Sequence, residues 1–407
     1  MKRLKAFSGI ILSLLILVSS LNVSFSKDDY SIDKEYYRNN PWRGTVLNVY
    51  NWGEYISDGS EGSMDVNGEF EKLTGIKVNY TNFDSNESLY SKLKSGGAQY
   101  DVIIPSDYMI ERLRNEDMLL PLDYSKIPNY KYIDPEYKNL FFDPDNKYTV
   151  PYNVGYVALI YNKKLVDTVP DSWTSLWDSK YAGRILMFNN PRDSFAIAQS
   201  VLGENYNTEK KEDWERARDL LMEQKPLVRS YVMDEVFNIM ESGSAALAPY
   251  YVGDFFTMQE NNPDLALAFP KEGANIFVDA MCIPKTAQNK GAAELYINFM
   301  EEPKVALQNA ETICYATPNM AVREMDDYTF KGNPYLYPPK DKLKKYQYFH
   351  YLDPKTQTLM NTYWNEVKVA GNSNRDTYIG LGVFLGAFIV FYAAHKIKLK
   401  NRAKYYK

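Results

Sequence analysis

The chain has 407 residues with 47 Lys and Arg, 52 Asp and Glu, two histidines and two cysteines, for a formal net charge of −5. So few cysteines exclude a disulfide scaffold, and so few histidines leave little room for zinc-type metal chemistry. All 52 acidic residues fall between Lys27 and Asp376, where 38 basic residues oppose them; that portion carries a formal −14, a field that favours cationic ligands and disfavours nucleic acid.

Residues 6–26 are apolar and free of charge, preceded by Lys2, Arg3 and Lys5 and closed by Ser24-Phe25-Ser26. Residues 1–26 are therefore expected to be a signal peptide or, if retained, an anchor. No cysteine follows them, which argues against lipid attachment. Strands are predicted at 45–51, 76–81 and 100–105, with helices at 63–73, at 87–95 and from Ser106 onward. That β-α-β-α-β order implies a parallel, doubly wound α/β sheet. Ligands of such sheets bind beyond the carboxyl ends of the strands, here at 52–55 and 106–108. After a polar, turn-rich stretch at 122–146, a strand at 156–161 crosses into a second lobe. Alternation resumes over 170–275, with helices at 194–202 and 211–222. A strand at 278–284 returns toward the first lobe, a helix follows at 291–300, 319–364 packs back on the second lobe, and 365–376 is a linker. Residues 377–394 are free of charge and are followed by His395 and six basic residues. They read as a transmembrane helix with a basic cytoplasmic tail at 395–407, which places the bulk of the chain on the extracytoplasmic face of the membrane. The intervening length exceeds one ordinary core. It is expected to form two lobes, 45–157 with 279–323 and 158–278 with 324–365.

Catalytic signatures are missing. There is no phosphate loop, no GxSxG elbow and no HExxH, and the histidines, His350 and His395, stand near the end of the chain. The expectation is a protein that is not an enzyme and needs no cofactor. Cys282 and Cys314 suit either one disulfide or two small buried thiols. Aromatic residues and acids abound instead, with 35 tyrosines and clusters such as Tyr50-Asn-Trp-Gly-Glu-Tyr55. Flat aromatic walls suit an alkyl stem, and carboxylates suit ammonium ends; a cation–π contact contributes ~0.5–2 kcal/mol and a charge-assisted hydrogen bond ~1.5–3 kcal/mol.

Several segments sharpen this reading: Asn51-Trp-Gly-Glu-Tyr55, Ser85-Asn-Glu-Ser-Leu-Tyr-Ser-Lys-Leu93, Tyr100-Asp-Val-Ile-Ile-Pro-Ser-Asp-Tyr108, Val150-Pro-Tyr-Asn-Val-Gly155, Ser172-Trp-Thr-Ser-Leu-Trp177, Phe269-Pro-Lys-Glu-Gly273 and Glu311-Thr-Ile-Cys-Tyr-Ala-Thr-Pro-Asn319. Taken in order, the chain resembles the spermidine/putrescine-binding protein family of solute-binding proteins. The resemblance implies a periplasmic-binding-protein-like, two-lobed clamp that closes on putrescine or spermidine and docks on ABC permease subunits served by a cytoplasmic ATPase. It implies aromatic walls from Trp52 and Tyr108 on the first lobe, with Glu54 and Ser106 near an amine. On the second lobe it gives Asp193 a terminal amine, makes Asp279 the principal amine-binding aspartate, and adds Tyr315, Tyr251 and Phe277, the last two where tryptophans are usual. Asn190 departs from an aspartate of the spermidine-preferring pattern, which weakens the case for spermidine over putrescine. A clamp for another small solute and a membrane-tethered sensor are the alternatives.

Overall fold

A computed structural model describes residues 30–97 and 99–370. The expected signal or anchor at 1–26, the expected membrane helix at 377–394 and the basic tail at 395–407 lie outside them. Among the described residues, no helix is long and apolar enough to cross a membrane.

The described residues form nine strands: β1 (Val46–Trp52), β2 (Lys77–Phe83), β3 (Val102–Ile103), β4 (Thr149–Asn162), β5 (Ile185–Phe188), β6 (Val228–Val232), β7 (Leu247–Tyr251), β8 (Leu265–Ala268) and β9 (Ile276–Cys282). Their order is β2-β1-β3-β9-β4-β7-β5-β6, with β8 on β4. In the first half β1 runs parallel to β2 and β3, and the helices Val66–Thr74 and Asn86–Lys94 provide the crossovers. Each helix starts where a polar side chain takes up free backbone donors: Asp65 caps Gly68, and Ser85 and Ser88 form a capping box. In the second half β5 runs parallel to β6 and β7, and Asn190 caps the helix Pro191–Leu202 by accepting from Arg192 and Asp193.

Two central antiparallel strands join the halves. β4 is 14 residues long and buried throughout. Its first part, Thr149 to Tyr156, pairs with β9, and its second part, from Val157 onward, pairs with β7 and β8. The strand expected at 156–161 is thus only the second part of this one. Pro151 and Gly155 disguise the rest, because proline lacks a ladder donor and glycine is a poor strand former. A bulge between Pro151 and Asn153 absorbs the first, and the ring of Phe277 lies where a Cβ on Gly155 would stand, which explains the second. β9 starts at Ile276 rather than at the expected 278, so Phe277 and Asp279 both lie within it. β3 is shorter than the expected 100–105, but Ala280 N still donates to Pro105 O beyond its end.

One core lies under β1 and β3 with Leu47, Val49, Phe70 and Phe299, and another surrounds Trp173, Phe195 and Trp214. The helix Pro354–Val369 lies on the second of these, linked to Lys211–Gln224 by Arg218–Glu366 and by Tyr363 Oη donating to Glu215. Cys282 and Cys314 are both free and buried, which is the two-thiol alternative.

Candidate functional site

The carboxyl ends of the parallel strands in the two halves face one another, and the polar residues just beyond them converge. After β1, Asn51 fixes the turn: Trp52 N donates to its Oδ1, while its Nδ2 donates to Tyr55 O and Tyr80 Oη. Glu54 turns the chain in the left-handed region at φ 50° and is exposed. Trp52 packs on Phe83 at 4.4 Å between centroids and keeps a buried Nε1 without a partner. After β3, Ser106 N donates to Asn86 Oδ1, and the Tyr108 hydroxyl accepts from Asn86 Nδ2 and donates to Glu87.

The opposite wall follows β5 and β7. Asp193, in the first turn after Asn190, accepts from Tyr251 Oη at 3.1 Å. Asp254, in the first turn after β7, accepts from Tyr315 Oη at 3.2 Å. From the shared strand β9, Asp279 accepts from Tyr55 Oη at 2.6 Å and leaves its Oδ1 buried and unpaired. Four rings line the space between these acids. Tyr251 and Phe277 lie 5.6 Å apart, Phe277 and Tyr315 6.2 Å, and Tyr55 and Tyr315 5.7 Å. The ring of Tyr315 fits over Gly253, where any side chain would collide with it.

Electrostatically the buried acids outnumber the positive charge beside them, which comes from Arg192. Burial pushes Asp279 up to about 6, against hydrogen bonds from Ser106 and Tyr55 that hold it down. Burial likewise raises Asp193 to about 7, against Tyr251 and Arg192. Asp254 also reaches about 7 through desolvation, opposed by Tyr315 and reinforced by Asp234 and Glu54; it keeps more solvent contact than the other two. Asp107 is fully buried, accepts from Tyr108 N at 2.7 Å and Val278 N at 3.2 Å, and so ties its helix to β9.

The halves also touch at the rim. Glu111 accepts from Tyr351 N at 2.7 Å and faces His350 Nδ1 at 3.4 Å. Tyr108 meets Phe349 edge-on at 6.5 Å; within the second half, Arg192 donates to His350 O and Asn207 Oδ1.

Of the residues singled out from sequence, Trp52, Ser106, Tyr108, Asp193, Tyr251, Phe277, Asp279 and Tyr315 come together around this space. Glu54 stands on its edge, sensed electrostatically by Asp254. Asn190 adjoins it, but its side-chain oxygen is taken up by the helix cap. Tyr55 and Asp107 fall within the stretches 52–55 and 106–108 but carry no role of their own in the sequence reading, and Asp254 lies outside it. Asp254 had a signal, since it follows a strand just as Asp193 does.

A family model described as bacterial extracellular solute-binding protein matches residues 68–335. The spermidine/putrescine-binding periplasmic protein of Escherichia coli (strain K12) is 36% identical over 302 residues, covering 74% of this chain and 85% of that protein. The putrescine-binding periplasmic protein PotF of the same organism is 32% identical over 344 residues, covering 79% and 91%. Among solved structures, the spermidine/putrescine ABC transporter substrate-binding protein PotD of Streptococcus pneumoniae superposes with a TM-score of 0.71 at 36% identity, covering 80% of this chain and 99% of that one. The two-lobed periplasmic-binding-protein-like fold is common to both. On its matched length, its identity to these relatives and its architecture, the chain belongs to the bacterial extracellular solute-binding protein family, among the spermidine/putrescine-binding proteins.

Proposed function

We propose that this chain is the extracytoplasmic substrate-binding subunit of an ABC importer, taking putrescine or spermidine into the cleft and delivering it to permease subunits driven by a cytoplasmic ATPase. The observation that carries the reading is the set of acids gathered in the cleft, Asp193 and Asp254 just beyond β5 and β7 and Asp279 within the shared strand β9, each held by a tyrosine hydroxyl and separated by aromatic rings. A buried carboxylate without a cation is costly. A chain of methylenes with an ammonium at each end removes that cost at two places and lays its stem on the rings. Closed and empty, the cleft is electrostatically unfavourable once its acids ionise; closed around a dication, it is not. Ligand therefore shifts an open–closed equilibrium, with no bond made or broken.

In this reading the moving lobes are 45–157 with 279–323 and 158–278 with 324–365, and the segment 377–394 tethers the protein to the membrane. Trp52, Tyr108, Tyr251, Phe277 and Tyr315 supply the walls, Asp193, Asp254 and Asp279 hold the amines, and Glu54, Ser106 and Asn190 line the margin. Titration calorimetry of the purified full-length chain with putrescine, spermidine and a monoamine of similar length tests it. Saturable polyamine binding with the monoamine at least ~tenfold weaker is expected, from the loss of one charge-assisted hydrogen bond. Absence of heat and of thermal shift with every amine sinks the polyamine assignment.

A further inference from the structure

Asn153 is a polar residue that neither the fold nor the site described above accounts for. It stands directly opposite Asp279 in the β4–β9 ladder, at the bulge that follows Pro151. Cross-strand partners project from the same face of a sheet, so both side chains enter the same space. Asn153 is 2% exposed, and its Nδ2 is buried without a hydrogen-bond partner, as is Asp279 Oδ1. Leaving one such atom unsatisfied is costly, and this holds for each of the two. Between them lies Tyr55, whose hydroxyl gives its single proton to Asp279 Oδ2 and has lone pairs left to accept. The Asn153 side chain is within hydrogen-bonding reach of that hydroxyl.

We infer that Asn153 is a recognition residue for primary amines: its Nδ2 turns to Tyr55 Oη, leaving its Oδ1 and Asp279 Oδ1 to accept two N–H bonds from one ammonium. The inference rests on the polyamine reading of the cleft. In a chain running Asn153, Tyr55, Asp279, one Nδ2 hydrogen goes to Tyr55 Oη and the tyrosine proton to Asp279 Oδ2, with the Ser106 hydroxyl a further donor to Asp279. A carboxylate alone attracts any cation, methylated or not, whereas two acceptors converging on one nitrogen require two N–H groups. A primary ammonium has three and a dimethylammonium one. The pair therefore reads the degree of substitution of the terminal nitrogen, while the acids elsewhere in the cleft read charge.

The test compares putrescine with its terminally N,N-dimethylated analogue by calorimetry on the full-length chain, in the native protein and in Asn153→Leu, which keeps the shape of the side chain and removes its polar atoms. Loss of one hydrogen bond to a charged group predicts ~10-fold to ~100-fold weaker putrescine binding, with the dimethyl analogue changed less than ~twofold, so that the preference collapses. Asn153→Asp, which restores an acceptor, is expected to keep it. If Asn153→Leu does not fold, judged by circular dichroism, Asn153→Ala takes its place. Equal weakening of both amines, or no change in either, overturns the role of Asn153 while leaving the polyamine reading intact. A native protein that binds neither amine overturns both.

Discussion

Acidifying the medium perturbs the cleft acids without altering a single residue. Asp279 is held at about 6 and Asp193 at about 7 by burial in the cleft, against an ordinary aspartate near ~3.9. In that range the buried groups retain protons that an unfolded chain has lost. Their contribution to ligand-free stability is therefore present at acid pH and is lost as pH rises through about 6 to 7. An ammonium, still charged throughout, takes the place of those protons, so binding releases them and affinity rises with pH. Between about pH 7.5 and about pH 5, a group at about 6 weakens binding about tenfold, and one at about 7 about 75-fold. Opening of the cleft, which rehydrates both acids, brings the total toward the lower figure. Calorimetry with putrescine at the two pH values gives the affinities, and repeating it near about pH 6.5 in two buffers of different ionisation enthalpy counts the protons, with about one expected to leave. Equal affinity at both pH values and equal heat in both buffers would refute the reasoning, because the acids would then be ionised before the ligand arrives or would not touch it.

Three further outcomes are expected. Asp254→Asn should weaken diamine binding ~10-fold to ~100-fold while monoamine binding changes less, measured by the same titrations; equal losses would place Asp254 outside the amine contacts. Gly253→Ala should force the Tyr315 ring off its seat and cost ~1–3 kcal/mol of binding or folding, visible as a lower melting temperature with a weaker Kd; an unchanged protein would mean that the ring has room to move. Glu111→Ala removes the acceptor for Tyr351 N at the rim and should speed ligand release several-fold, equally for putrescine and spermidine, as stopped-flow fluorescence would show. An unaltered release rate would mean that the rim contact does not hold the cleft shut.

Much of this was legible in the chain. The alternation of strand and helix gives the doubly wound order, and the rule that ligands sit beyond strand ends points to Trp52, Ser106 and Tyr108, which the fold brings to one space. The aromatic and acidic composition pointed to a cation. What stayed hidden depends on pairing across the sequence. Asn153 has no meaning until Asp279, more than a hundred residues later, is set against it by the ladder. Tyr55 is one tyrosine in a cluster as far as the sequence goes, and only the fold sets its hydroxyl on Asp279. Asp107 sat beside a suspected site residue, and only the end of β3 shows why a buried carboxylate belongs there, to accept the Val278 N–H that the short strand leaves over. Asn190 shows the converse, for its position in the family pattern suggested a ligand contact and its local geometry reveals a helix cap.

The two strands shared between the lobes also order events during synthesis. β9 sits between β3 and β4 in the finished sheet, yet its residues, Ile276–Cys282, are made well after those of both neighbours. Until they emerge, the first lobe has a gap through its middle and cannot close its core, however much of its own sequence is already available. Early folding is thereby discouraged by topology, as expected of slow, non-local strand pairing. A nascent chain stalled before β9 should be open to protease throughout its first ~150 residues, and one that has emerged past β9 and the core residues Tyr296, Phe299 and Met300 should become resistant.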